Sequence, residues 1–119
     1  MMSMLTKADL DSIVSERAAR HLRSFRSEAE RIFPGKVTNV VLFGSRARGD
    51  SRRGSDYDVA VFISDLNNRR FVDHALEDAA YKHILAGVHI SPVSVPSNYL
   101  NSDDELLALN IARDGVVIR

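Results

Sequence analysis

No cysteine occurs among the 119 residues. Disulfides, thiolate metal sites and cysteine nucleophiles are therefore excluded, and the composition suits a reducing cytoplasm. Net charge is missing too, since sixteen Lys and Arg balance sixteen Asp and Glu. A chain without excess positive charge has no overall nucleic-acid footprint, so direct nucleic-acid binding is not expected and any basic patch must be local. No apolar run approaches the roughly 18 residues of a membrane span. The opening stretch MMSMLTKADL has neither the basic flank nor the long apolar core of a signal peptide. The expectation is a cytoplasmic protein without membrane association. What is present is ordinary: 45% hydrophobic and 27% charged residues, the balance of a globular domain. Its length suffices for one real core. There is no internal repeat, low-complexity tract or linker, and residues 1–119 read as a single domain.

Apolar spacing predicts the elements. Leu10, Ile13, Val14, Ala18, Leu22, Phe25, Ala29, Ile32 and Phe33 recur at helical intervals. They predict one long amphipathic helix over 6–33, with Thr6 as its cap and Pro34-Gly35 as its stop, so that residues 1–35 form an N-terminal helical segment. Val37 to Phe43 is rich in β-branched residues and reads as a buried strand. A Gly/Arg/Ser segment over 44–55 interrupts the pattern, and Tyr57 to Ile63 resumes it as a second strand. Residues 69–86 look helical and end at Gly87. VHISPVSV (88–95) reads as a third strand, whose Pro92 suggests an edge or a bulge. Asp103 to Arg113 reads as a short helix before a terminal VVIR strand. The order implies an α/β protein of α+β type, with a single mixed sheet over 36–119 and helices packed on it.

The informative stretch is FGSRARGDSRRGSDYD, residues 43–58. Gly44-Ser45 follows directly on a buried strand, where a residue without Cβ permits a sharp turn and close approach of a ligand to the backbone. If SRAR opens a helical turn, its free N–H groups and the Ser45 hydroxyl face an anion, and Arg46 and Arg48 add positive charge. After ten intervening residues come Asp56 and Asp58, two apart at a strand start and hence on one face. Neighbouring carboxylates repel unless a cation sits between them. Mg²⁺, which takes oxygen ligands, is the usual cation beside phosphates. A phosphate cradle next to paired carboxylates implies phosphoryl or nucleotidyl transfer, which needs positioning and charge neutralisation.

This segment resembles the signature of the DNA polymerase beta-like nucleotidyltransferase superfamily, in particular its minimal nucleotidyltransferase (MNT) branch. The order of flanking elements fits as well. The resemblance implies that Gly44 and Ser45 hold the triphosphate, with Arg46 as a further phosphate contact. It implies that Asp56 and Asp58 are the catalytic Mg²⁺ ligands and that a nucleoside monophosphate, AMP from ATP, passes to an acceptor hydroxyl. Larger members add a helical domain over the nucleotide. With 119 residues, a partner chain or self-association is expected to complete the pocket. In the MNT branch that partner is often a helical HEPN toxin, which the MNT chain neutralises by occlusion or by adding AMP to a toxin tyrosine.

One departure keeps alternatives open. Members of the superfamily usually supply a third carboxylate from a later strand. Here VHISPVSV has none, and His89 or Ser91 takes that place. The chain is then an adenylyltransferase antitoxin, a nucleotide-binding antitoxin acting by contact alone, or a small-molecule transferase of the antibiotic-modifying type. The remaining histidines, His21, His74 and His83, form no zinc set by spacing. Tyr57, Tyr81 and Tyr99 are too scattered for a base-stacking platform.

Overall fold

The computed structural model describes residues 9–98 and 105–119. Four strands form one sheet: β1 (Val37–Phe43), β2 (Tyr57–Ile63), β3 (Ile90–Pro96) and β4 (Val116–Val117). Their order is β3-β2-β1-β4. β2 runs antiparallel to β1 and parallel to β3, and β4 is antiparallel to β1. The mixed sheet expected from the sequence is therefore present.

The single helix expected over 6–33 is in fact two, α1 (Leu10–Ile13) and α2 (Glu16–Ile32). Thr6 lies outside the described residues. The apolar period carries through Ile13, Val14 and Ala18, but the backbone does not. Val14 is extended, and Ser15 caps α2 by accepting a hydrogen bond from the Ala18 N–H at 3.0 Å. A serine hydroxyl competes for the backbone in this way and starts a new helix. A four-residue turn, α3 (Ser45–Arg48), follows β1; α4 (Arg69–Leu85) links β2 to β3; and α5 (Glu105–Asp114) precedes β4. β3 begins two residues later than the sequence suggests, because Val88 and His89 complete the turn after Gly87.

Strand alternation sends side chains to two cores. On one face Val40, Leu42, Val59, Val61 and Ile90 pack with Leu22, Phe25, Leu76 and Ala80 of α2 and α4. On the other, Val41, Ala60, Phe62 and Val95 meet Ala108 and Ile111 of α5. Between α2 and α4 lies a buried polar group. The Glu28 carboxylate pairs with Lys82 and, at 3.0 Å, with His83 Nε2, while His83 Nδ1 is 2.8 Å from His21 Nδ1. Burial by itself would raise the Glu28 carboxyl, but the hydrogen bonds from Lys82 and His83 outweigh it and hold the group below its usual range. The His21 imidazole is pushed down, by burial first and then by the neighbouring His83.

β3 is an edge strand, as Pro92 suggested, and its outward side is closed. Ser94 donates its N–H to Asp73 Oδ1 at 2.7 Å, and Ile90 donates to Val88 O at 2.9 Å. The alternate positions between and beyond are Pro92 and Pro96, which have no N–H to offer. Natural sheets protect their edges by such means.

Candidate functional site

The antiparallel register pairs Phe43, the last residue of β1, with Asp58. The chain then turns at Gly44, with φ 80° and ψ −161°. That conformation is essentially reserved for glycine. The Asp58 carboxylate fills the space beside it, since a Cβ built on Gly44 would lie 2.5 Å from Asp58 Oδ2. The glycine bend and the second aspartate are thus in direct contact. α3 opens there, with Ala47 and Arg48 both donating to the Gly44 carbonyl at 3.0 Å. The N–H groups of Ser45 and Arg46 precede these first bonds of the turn.

The loop from Gly49 to Asp56 is folded back by Arg46. Its Nε and Nη2 donate to Ser55 O at 3.2 and 3.0 Å, its Nη1 donates to Ser51 Oγ at 3.3 Å, and its guanidinium stacks 4.4 Å from the Tyr57 ring centre. Three of five N–H groups are engaged, leaving two. Ser55 closes a turn, with its N–H on Arg52 O at 3.0 Å and its Oγ accepting from Arg52 N at 2.9 Å. This delivers Asp56, exposed, beside the half-buried Asp58. The Asp58 carboxyl is raised, by burial first and then by the charge of Asp56, with Arg48 opposing. Arg48 in turn bridges Asp50 at 3.1 Å and Asp114, at the end of α5, at 3.0 Å.

On β3, Ser91 stands opposite Asp58 in the parallel register, and the His89 carbonyl accepts the Tyr57 N–H at 2.8 Å. Ser91 and His89 therefore flank the two aspartates, and no acid comes from this strand. A cavity of about 230 Å³ opens at this edge, lined by Asp56, His89 and Ser91 and, from α4, by Glu77. Glu77 is exposed and was not among the residues expected here. Its helical spacing to Ala80 and Ile84, which line the same cavity, was the available signal. A larger cavity of about 700 Å³ runs along the start of α4 by Arg69, Phe71, Asp73, His74 and the same Glu77, and touches neither Asp56 nor Asp58. Among the described residues, no three His, Asp or Glu side chains converge as a metal cage. The structure does bring His21 and His83 together, which sequence spacing could not reveal, but far along the chain from the aspartates.

A family profile described as "Nucleotidyltransferase domain" matches residues 22–100. The chain belongs to this family. The nucleotidyltransferase domain is also similar to two proteins of Methanocaldococcus jannaschii. "Putative protein adenylyltransferase MJ0141" is 28% identical over 72 residues, 60% of this chain and 73% of that protein. "Putative protein adenylyltransferase MJ1305" is 34% identical over 76 residues, 62% of this chain. The chain spans about half the length of the latter, 52%. Among solved structures, a nucleotidyltransferase of Sulfolobus solfataricus aligns with a TM-score of 0.61 at 18% identity, covering 93% of this chain and 87% of that one. A mutant MntA–HpeT toxin–antitoxin aligns at 0.56 and 22% identity, and a toxin–antitoxin with AMP-PNP at 0.56 and 25%. Each of these two covers 82% of this chain and 72% of the other. The fold is that of the polymerase beta-like nucleotidyltransferases.

Proposed function

We propose that the protein transfers AMP from ATP to a hydroxyl of a partner protein, with Mg²⁺, as the antitoxin of a HEPN/MNT pair. The observation that carries this reading is the contact of Asp58 with the Gly44 bend. It joins the carboxylate half of the site to the phosphate half, so one Mg²⁺-triphosphate can be gripped by both. The relatives named as protein adenylyltransferases and the toxin–antitoxin structures support the acceptor and the partner.

The residues suit Mg²⁺. The ion is usually held by one or two carboxylates plus substrate phosphates rather than by a protein cage. Asp56 and Asp58 provide that pair, and the Asp58 carboxyl, raised by burial first and then by the charge of Asp56, is one whose ionised form a bound cation would favour. When bound, the ion neutralises charge on the phosphates and on the departing pyrophosphate. The chain's own groups do the rest. Ser45, its N–H and the N–H of Arg46 receive phosphate oxygens, the free N–H groups of Arg46 add a further contact, and Arg46 keeps the loop carrying Asp56 in place. Incubation with ATP, Mg²⁺ and the partner should add AMP mass to the partner, seen by intact-mass spectrometry, and Asp56→Asn should abolish it. An unchanged partner mass with the wild-type protein rejects the enzymatic reading.

A second reading has an observation in its favour. Ser91 rather than an acid faces Asp58, which suits an antitoxin that binds nucleotide and silences its partner by contact. It predicts that Asp58→Ala still binds and neutralises. Loss of neutralisation with binding retained would reject it.

A further inference from the structure

We infer that the pocket between α2 and α4 binds a tetrahedral oxyanion of the phosphate type, and that the His21–His83 pair takes up a proton as it does so. The pocket holds about 350 Å³ and is lined by Arg20, His21 and Ser24 of α2 and by Lys82 and His83 of α4. It includes none of Gly44, Ser45, Asp56 and Asp58, so it is separate from the transferase site. Arg20 and Ser24 are four apart and His21 is three before Ser24, which sets them on one face of α2. No aliphatic side chain is among the five, so the lining offers charge and hydrogen bonds rather than apolar contact.

Hydrogen bonding fixes where the protons sit. The Glu28 carboxylate receives Lys82, His83 Nε2 and, at 3.2 Å, the Ser24 hydroxyl. Because an ionised carboxylate can only accept, the proton of neutral His83 is on Nε2. His83 Nδ1 then carries a lone pair, and across 2.8 Å it accepts from His21 Nδ1. In the neutral pair His21 Nε2 is therefore bare. Whichever ring takes an added proton, one hydrogen remains between the two Nδ1 atoms, so the new N–H appears on His21 Nε2.

The surrounding charges favour an anion over a cation. Besides His83, the charged groups acting on His21 are Arg17, Arg20 and Glu28, and Glu28 is already shared by Lys82 and His83. A cation at the bare nitrogen would meet the arginines, and among the described residues no three His, Asp or Glu side chains converge to hold it. An anion finds open donors instead. Arg17 is committed to the Ala86 carbonyl, but Arg20 is exposed and makes no hydrogen bond or ion pair among the described residues. The Lys82 ammonium has three N–H groups and gives one to Glu28, which leaves two. Burial and the neighbouring positive charges hold the His21 imidazole low, so the pair is neutral near pH 7 and its proton arrives with the anion. Affinity therefore rises as pH falls.

The test titrates the whole chain with sulfate, inorganic phosphate and AMP while following the histidine ring Cε1–H NMR signals, with that of His21 assigned from its loss in His21→Gln. Sulfate and phosphate should shift the His21 signal saturably. Sulfate, whose own charge is constant over the range, should bind about fivefold more tightly at about pH 5.5 than at about pH 8. Arg20→Gln should weaken binding about fivefold, Arg20→Lys should keep part of it, and Ser45→Ala should leave this signal's response unchanged. In His21→Gln, residual binding followed at His83 should lose its pH dependence. Either phosphate or AMP supports the site if its effect is lost with Arg20→Gln, and the tighter of the two tells a free anion from a nucleotide's phosphate. A His21 signal indifferent to all three probes, an affinity unchanged by Arg20→Gln, or equal sulfate affinity at the two pH values overturns the inference. So does a response to Zn²⁺ at lower concentration than to any anion, which would mark a cation site instead.

Discussion

Gly44→Ala is the most direct perturbation of the site. The residue sits at φ 80° and ψ −161°, where a side chain costs about 1–3 kcal/mol in backbone strain. A Cβ would also meet Asp58 Oδ2 at 2.5 Å, about 0.9 Å inside ordinary contact and on the repulsive wall. At about 2.1 cal/mol/K of unfolding entropy per residue, 1 kcal/mol corresponds to about 4 °C in a domain of this length. A strain of ~2 kcal/mol alone therefore lowers Tm by about 8 °C, and the collision adds to it. Gly49→Ala is the control, since its φ of 84° brings strain but nothing lies within 4 Å of its Cβ. A double-mutant cycle separates the two contributions. In an Asp58→Ala background the collision vanishes, so Gly44→Ala should cost less by ~1 kcal/mol or more, the scale of coupling between touching residues. Thermal melts by circular dichroism give the four stabilities. Titration calorimetry with Mn²⁺ and a non-hydrolysable ATP analogue should show at least a tenfold loss for Gly44→Ala and little for Gly49→Ala. Equal cost of Gly44→Ala in both backgrounds, or unchanged nucleotide affinity, would refute the contact on which the site is built.

Other expectations concern the supports of the fold and the loop. Glu28→Gln removes the charge between Lys82 and His83 and should cost ~2–3 kcal/mol at pH 7, read from urea midpoints. Because the folded Glu28 carboxyl is held below its usual value, the wild-type advantage should be complete above about pH 4.5 and shrink as pH falls through the folded value. A constant gap down to pH 3 would contradict the assignment. Ser15→Ala loses the cap of α2 and should cost ~1 kcal/mol, with helicity by circular dichroism reporting the frayed first turn. Arg46→Ala frees the loop from Ser51, Ser55 and Tyr57, so trypsin should cut at exposed Arg52 and Arg53 several-fold faster. An unchanged rate of cleavage would mean that Arg46 does not hold the loop.

β1 and β2 were legible to the residue, because short runs rich in β-branched and aromatic residues, bounded by glycine, serine and aspartate, leave few other solutions. The approach of Gly44 to Asp58 was legible too. A strand ending at Phe43 and another beginning at Tyr57 can pair antiparallel only by bringing the bend and the aspartates together. The break at Val14–Ser15 was hidden because apolar spacing reports which side faces the core and is silent on a hydroxyl that diverts one backbone bond. The His21–His83 contact was hidden for a different reason. It arises from residues on two elements brought near by the packing of α4 against α2, and no local pattern encodes such meetings.

The closed rim of β3 limits how this molecule can assemble. A visiting strand laid alongside it would find two prolines and two occupied amides, and hence no ladder to join. Fibril-like stacking and strand exchange through that border are discouraged, leaving side-chain surfaces to make any complex on this flank. The entrance to the small cavity beside Ser91 consequently stays clear of a pasted-on polypeptide backbone.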